Sequence, residues 1–176
     1  MLTNSKKGYI HLYTGNGKGK TTAALGLALR AAGAGLKVYI AQFAKQGNYS
    51  ELNSLKKLND TITIEQFGNG DFIVEKASPR EKAIAQHGFS KVESVINEGA
   101  CDMVILDEIC IALHFELIDT QQLIQVLKNR PSPIEIVLTG RNAPPEIIEI
   151  ADLVTEMKEI KHYYSRGVQS RKGIEE

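Results

Sequence analysis

The chain of 176 residues has no tryptophan, only two cysteines and no surplus of either charge. Lys plus Arg total 21 and Asp plus Glu total 21, so the formal net charge at pH 7 is zero. That balance gives no general attraction to nucleic acid or to an anionic membrane. No apolar run approaches the roughly 20 residues needed to cross a bilayer. Residues 1–7 are polar and lack the apolar stretch of a signal peptide. Cys101 and Cys110 form no CxxC pair, and neither has a histidine at metal-ligand spacing. They read as two reduced thiols, and the chain reads as cytoplasmic. Its length suits a single domain, with residues 1–7 as a short N-terminal arm and 158–176 as a tail that is basic until its last residues.

What is present alternates regularly. Residues 9–13 (YIHLY), 38–43 (VYIAQF), 62–67 (ITIEQF), 103–106 (MVIL), 134–138 (IEIVL) and 153–157 predict six strands. The MVIL run has no polar alternation, as expected for a strand buried on both faces of a parallel sheet. Helices are predicted over 21–32, ended by Gly33 and Gly35, and over 50–58 with Ser50 as N-cap. A long one starts at Pro79 after Ser78 as N-cap and runs to about Asn97. Two more are capped by Asp119 or Thr120 and run to Asn129, and cover 144–151. The pattern implies an α/β fold with a mostly parallel central sheet flanked by helices.

One stretch carries chemistry on its own. Thr14-Gly15-Asn16-Gly17-Lys18-Gly19-Lys20-Thr21, followed by Thr22, lies between the first strand and the first helix. A phosphate-binding P-loop sits at that place. Its glycines let successive N–H groups face phosphate oxygens, and the helix N-terminus adds positive potential. Lys20 is placed to reach the phosphates, Thr21 to ligate Mg²⁺, and Lys18 to add a second cation. Thr14 stands where the usual pattern begins with glycine, so Gly15 is read as the first glycine of a shortened loop.

The fourth strand ends in Asp107-Glu108. A carboxylate after an apolar strand holds Mg²⁺ in P-loop proteins, at the end of the sheet where α/β proteins bind ligands. Consecutive side chains on a strand point to opposite faces. Glu108 is therefore favoured as the direct ligand, with Asp107 in support. Arg141 is placed to touch phosphate or ribose. A loop of this kind, taken alone, leaves phosphoryl transfer by an ATPase or kinase as an alternative.

TGNGKGKTT (14–22), QFAK (42–45), VILDE (104–108), NRP (129–131), LTGRNAPPEIIEIADLVTEM (138–157) and KHYYSRGVQSRKGIE (161–175) together resemble the ATP:corrinoid adenosyltransferases of the cob(I)alamin type. The resemblance spans nearly the whole chain, in order. It implies a P-loop NTPase fold of the RecA type and a homodimer. It implies transfer of the 5′-deoxyadenosyl group of ATP to Co(I), with release of triphosphate. An electron-donor flavoprotein is an implied partner. Nucleic acid and membrane are not. Lys20, Thr21 and Glu108 fall at the centre of that chemistry.

Members of this family also press an apolar side chain under the corrin. The matching region here is 67–73, where some relatives carry a tryptophan, and Phe72 is the candidate, with Phe67 second. The arm ahead of the first strand is shorter than in some relatives. Gln42 and Lys45 are expected to contact the corrinoid. The Asp-x-His-x-x-Gly pattern of modules that keep a corrinoid as cofactor is absent, which points to an enzyme that acts on it. His11, inside a strand, reads as packed or paired.

Overall fold

The structure, a computed structural model, describes residues 7–70 and 77–175. Six strands form one sheet: β1 (Ile10–Thr14), β2 (Val38–Phe43), β3 (Ile62–Phe67), β4 (Met103–Asp107), β5 (Glu135–Thr139) and β6 (Leu153–Glu156). Their order is β3-β2-β4-β5-β1-β6 and every pairing is parallel. The helices are α1 (Lys20–Gly33), α2 (Ser50–Leu55), α3 (Pro79–Glu98), α4 (Ile109–His114), α5 (Thr120–Asn129) and α6 (Pro145–Ile150). The expected α/β class is what forms, and among the described residues the sheet is parallel throughout. No described helix is long and apolar enough to cross a membrane.

Strand alternation divides the core into two layers. Leu12, Tyr39, Ala41, Phe43, Val104, Leu106, Ile136 and Leu138 face α3, α4, α5 and α6. Val38, Ile40, Met103, Ile105 and Val137 face the other way, against Ala24, Ala28 and Ala31 of α1 and Leu55 of α2. The α1 stripe of alanines at helical spacing lets that helix lie close on the sheet. Burial on both faces explains why β2 and β4 carry unbroken apolar runs.

The long helix starts as its sequence requires. Ser78 Oγ accepts from the Glu81 N–H, Glu81 returns a carboxylate to the Ser78 N–H, and Pro79 fills N1. Asp119 caps α5 by accepting from the Gln122 N–H at 2.9 Å. At α2 the expectation is corrected: Tyr49 holds the N-cap position, Ser50 is the first helical residue, and the segment tightens into a 3₁₀ turn at Lys56–Leu58. A helix that the sequence reading did not assign, α4, directly follows Glu108.

The connections set up the site. The chain leaves β1, crosses through α1 and returns as β2 three positions away, and β4 and β5 then fill the gap. Such a reversal of strand order opens a crevice at the carboxyl ends of the strands. The loop after β1 and the ends of β2, β4 and β5 meet there.

Candidate active site

The phosphate loop begins at Gly15. Thr14 is the last residue of β1, in register with Glu156 of β6. The loop is propped on the residue after β6: the Met157 N–H donates to the Thr14 carbonyl at 2.8 Å, and the Gly17 N–H donates to the Met157 carbonyl at 2.6 Å. A Cβ on Gly15 or on Gly17 would fall 2.6 Å from that Met157 oxygen. Glycine is needed at both positions for this approach, and at Gly15 also for its φ of +92°. Thr14 needs no such freedom, which accounts for the shortened pattern.

Lys20 is buried, and its ammonium donates to the carbonyls of Gly15 (2.7 Å) and Gly17 (2.8 Å). Burial lowers its pKa, as does Arg141 nearby, against the opposing pull of Glu108 and Asp107. The two carbonyl bonds hold its head at the loop.

Asp107 gathers the rest. Its carboxylate is 1% exposed and accepts from the Thr21 hydroxyl (2.9 Å), the Thr139 hydroxyl (2.7 Å), the Lys45 ammonium (2.8 Å) and the Gln42 amide (3.2 Å). These donors come from α1, from the end of β5, from the turn after β2 and from β2 itself. Gln42 stands opposite Asp107 in the β2–β4 register. Gln66, opposite Gln42 on β3, donates to it at 3.0 Å and accepts from the Gly47 N–H at 3.2 Å. The chain of bonds ties the carboxylate to the turn that carries Lys45.

Lys45 also donates to the Thr21 hydroxyl at 3.0 Å. Burial disfavours its charge, but the Asp107 charge and hydrogen bond outweigh that and raise its pKa. The ammonium thus bridges the threonine oxygen and the carboxylate. Gln42 is fully buried on Asp107 and Lys45 is paired with it, so Gln42 does not reach a ligand in the crevice and the expected corrinoid contact is corrected for it.

Glu108 turns the other way. It holds a left-handed backbone (φ 58°) as the N-cap residue of α4, and its N–H donates to Thr139 Oγ1 at 2.9 Å. Its side chain lines the crevice. Burial and the neighbouring Asp107 push its carboxyl pKa up, opposed by Lys45, Lys20 and Arg141. Thus Asp107 touches Thr21 from beneath and Glu108 faces the open space, a division that follows from their adjacency at a strand end.

The crevice encloses about 760 Å³, within the range of small-molecule sites. Gly17, Lys18, Gly19, Lys20, Thr21 and Thr22 form its floor, Glu108 and Arg141 one side, and Lys45, Tyr49 and Glu51 another. His162, Ile174 and Glu175 close part of the mouth. Gly15 and Asn16 do not line the crevice. Phe72 falls outside the described residues, while Phe67 is core, 5.8 Å from the Phe43 ring centroid. His11 is paired with Glu135 at 2.5 Å in β1 and β5, away from the crevice.

Thr139 was not anticipated from sequence, although it ends β5 within the LTGR segment whose Arg141 was. Of the NRP segment, Arg130 is structural: it donates to the carbonyls of Leu127 (2.8 Å), Gly8 (2.9 Å) and Ile134 (3.3 Å). Cys110 lies under the site, and burial raises its thiol pKa to about 12, so it is an inert filler.

The fold and this loop define a P-loop α/β protein with a buried, hydrogen-bonded carboxylate at the end of its fourth strand. The comparisons with known proteins narrow the class. Residues 6–175 match the family described as ATP:corrinoid adenosyltransferase BtuR/CobO/CobP. A corrinoid adenosyltransferase from Sinorhizobium sp is 36% identical over 173 residues, covering 97% of this chain and 81% of the relative. Corrinoid adenosyltransferases from Escherichia coli (32%) and Pseudomonas aeruginosa (31%) align over 97% of this chain and 86% and 84% of their own lengths. The chain belongs to the ATP:corrinoid adenosyltransferase family, a family of transferases.

Proposed function

We propose that this protein transfers the 5′-deoxyadenosyl group of ATP to the Co(I) centre of a corrinoid such as cob(I)alamin and releases triphosphate. The observation that carries the reading is the convergence of Lys18, Lys20, Lys45 and Arg141 on one crevice floored by the phosphate loop. In this reaction cobalt supplies the electron pair and attacks C5′. The C5′–O bond breaks, and its electron pair leaves on the triphosphate. Charge therefore grows on the leaving group, and fixed cations and loop amides are what stabilise it. Lys20 and the amides of residues 18–21 would cradle the chain, and Arg141 lies on the side where its ribose end or its phosphates would pass.

Mg²⁺ suits the oxygens present. Thr21 and Glu108 would hold it, with Asp107 fixing the Thr21 hydroxyl from below. The Lys45 ammonium already sits between Thr21 and Asp107 as a cation would. When bound, the ion neutralises charge on the phosphates. Among the described residues no three His, Cys, Asp or Glu side chains converge on one point, which accords with an ion held by one or two protein groups together with substrate phosphates and water.

Phe72 stays the side chain proposed to press under the corrin. A homodimer is part of the reading, and the edge strand β6, whose Leu153 and Val154 are 42% and 43% exposed, supports it. So are a flavoprotein that delivers electrons to the cobalt and a cytoplasmic setting, which suits both the thiols and the ATP. The test is direct. Incubation with MgATP and chemically reduced cobalamin should convert the Co(I) absorbance to that of adenosylcobalamin. A Co(I) spectrum that persists at the rate of an enzyme-free control would contradict the proposal.

A further inference from the structure

The tail folds back over the phosphate loop and occupies one of its cations. A 3₁₀ turn at Tyr163–Arg166 sets the Tyr163 hydroxyl 3.1 Å from Lys18 Nζ. The same ammonium donates to the Ile174 carbonyl at 2.9 Å and to Glu175 Oε1 at 2.8 Å. Arg171 holds Glu175 from the other side, with Nη2 3.1 Å from Oε1 and with Nε and the backbone N–H 3.2 and 2.9 Å from Oε2. The Tyr163 hydroxyl bonds this carboxylate too. Lys18 and Arg171 both lie over the Tyr163 ring, 5.8 and 4.9 Å from its centroid.

One carboxylate thus collects donors from the phosphate loop and from the tail, in the mouth of the crevice that Lys20 and Thr21 floor. Arg171, Lys18 and Tyr163 hold its pKa well below the usual carboxylate range, so it is an anion at any working pH. A phosphate chain on the loop needs the same ammonium. Two anions brought to one cation repel each other, and the more highly charged one with more donors prevails.

We propose that Glu175 is an internal competitor for the polyphosphate site: its carboxylate latches Lys18 until a triphosphate chain displaces it and frees the tail. The ligand class is a polyphosphate, whether borne on a nucleoside or inorganic. The inference rests on the reading that the loop binds the triphosphate of ATP. It adds a consequence for turnover. Once the C5′–O bond is broken, the tethered carboxylate is a competitor at high effective concentration for the product left on the loop, and re-latching helps to expel it.

The test uses the full chain, inorganic tripolyphosphate with Mg²⁺, and titration calorimetry. Glu175→Gln keeps the size of the side chain and removes its charge. It should bind tripolyphosphate roughly three- to tenfold tighter than the unaltered protein, the range expected for loss of a partly exposed ion pair. In a Lys18→Ala background the same Glu175→Gln change should give no gain. Equal or weaker binding by Glu175→Gln overturns the latch while leaving the loop reading intact. A gain that survives without Lys18 also overturns it. No binding by the unaltered protein or by any variant overturns the loop reading, and the latch with it.

Discussion

The Thr21 hydroxyl donates to Asp107 Oδ1 at 2.9 Å across 86 positions of sequence. This bond joins the two halves of the site, the helix that opens after the phosphate loop and the strand that ends in a carboxylate pair. Lys45 touches both partners. Parallel strand order makes the meeting possible, because β1 and β4 are separated only by β5 and all three end on the same side.

Asp107→Asn follows from that bond. Asparagine keeps the shape but removes the charge that faces the Lys45 ammonium and fixes Thr21. The kcat/KM for adenosylation should fall about a hundredfold or more, the scale of losing one fixed electrostatic group. The Mg²⁺ concentration needed for half-maximal activity should rise. Steady-state kinetics across a Mg²⁺ titration measures both, and unchanged values would remove Asp107 from the cation site.

Lys20→Ala removes the buried ammonium that spans the Gly15 and Gly17 carbonyls. ATP affinity should drop by roughly ten- to a hundredfold, the worth of charge-assisted hydrogen bonds. Calorimetric titration with MgATP reads it. This variant tests where ATP binds and leaves open which bond is cut.

Arg130→Ala should cost stability and not chemistry. The guanidinium ties the end of α5 to the segments before β1 and β5 through three carbonyls. Losing it should lower unfolding stability by about 2 kcal/mol, read by urea denaturation, while KM for ATP stays unchanged. A shift in KM without a loss of stability would place Arg130 in the site instead.

The cap of α3 gives a pH signature. The Ser78 backbone and side chain, with Asn69 adding to them, hold the Glu81 carboxyl below its ordinary value of 4.5. A depressed folded-state pKa means the ionised form stabilises the fold. That stability is fully present above pH 4.5 and is lost as the pH falls through the lower folded value. Ser78→Ala should cost about 1 kcal/mol at neutral pH and shrink the difference between neutral and acid stability. Thermal melts from pH 7 to pH 3 check it, and an undiminished acid dependence would count against the cap.

Much of this was legible from residues alone. The strands stand within about one residue of where their apolar runs place them, since burial on both faces leaves few other ways to fold such runs. Ser78-Pro79 announces its helix because the start is written in the side chains. The phosphate loop was legible for the same reason. Other features needed three dimensions. Gln42 meets Asp107 only through the β2–β4 register, which no local pattern encodes. Thr139 reaches the site because β5 lies beside β4. The helix α4 is six residues long and opens on a left-handed Glu108, so it lacks both a cap and room for a period. The tail reads in sequence only as basic until its last residues, and its fold over the phosphate loop shows in the contacts of Lys18. Glu175 closes the KHYYSRGVQSRKGIE segment, but nothing local in that segment pairs it with Lys18 of the phosphate loop.

The central claim is which bond of ATP breaks, and the phosphate product settles it. Purified protein given MgATP and cobalamin reduced chemically to Co(I) should yield tripolyphosphate in a one-to-one ratio with adenosylcobalamin, resolved by phosphorus NMR or ion-exchange chromatography. ADP or AMP as the accompanying product, with no tripolyphosphate, would show that the loop serves cleavage between phosphates and would contradict the account.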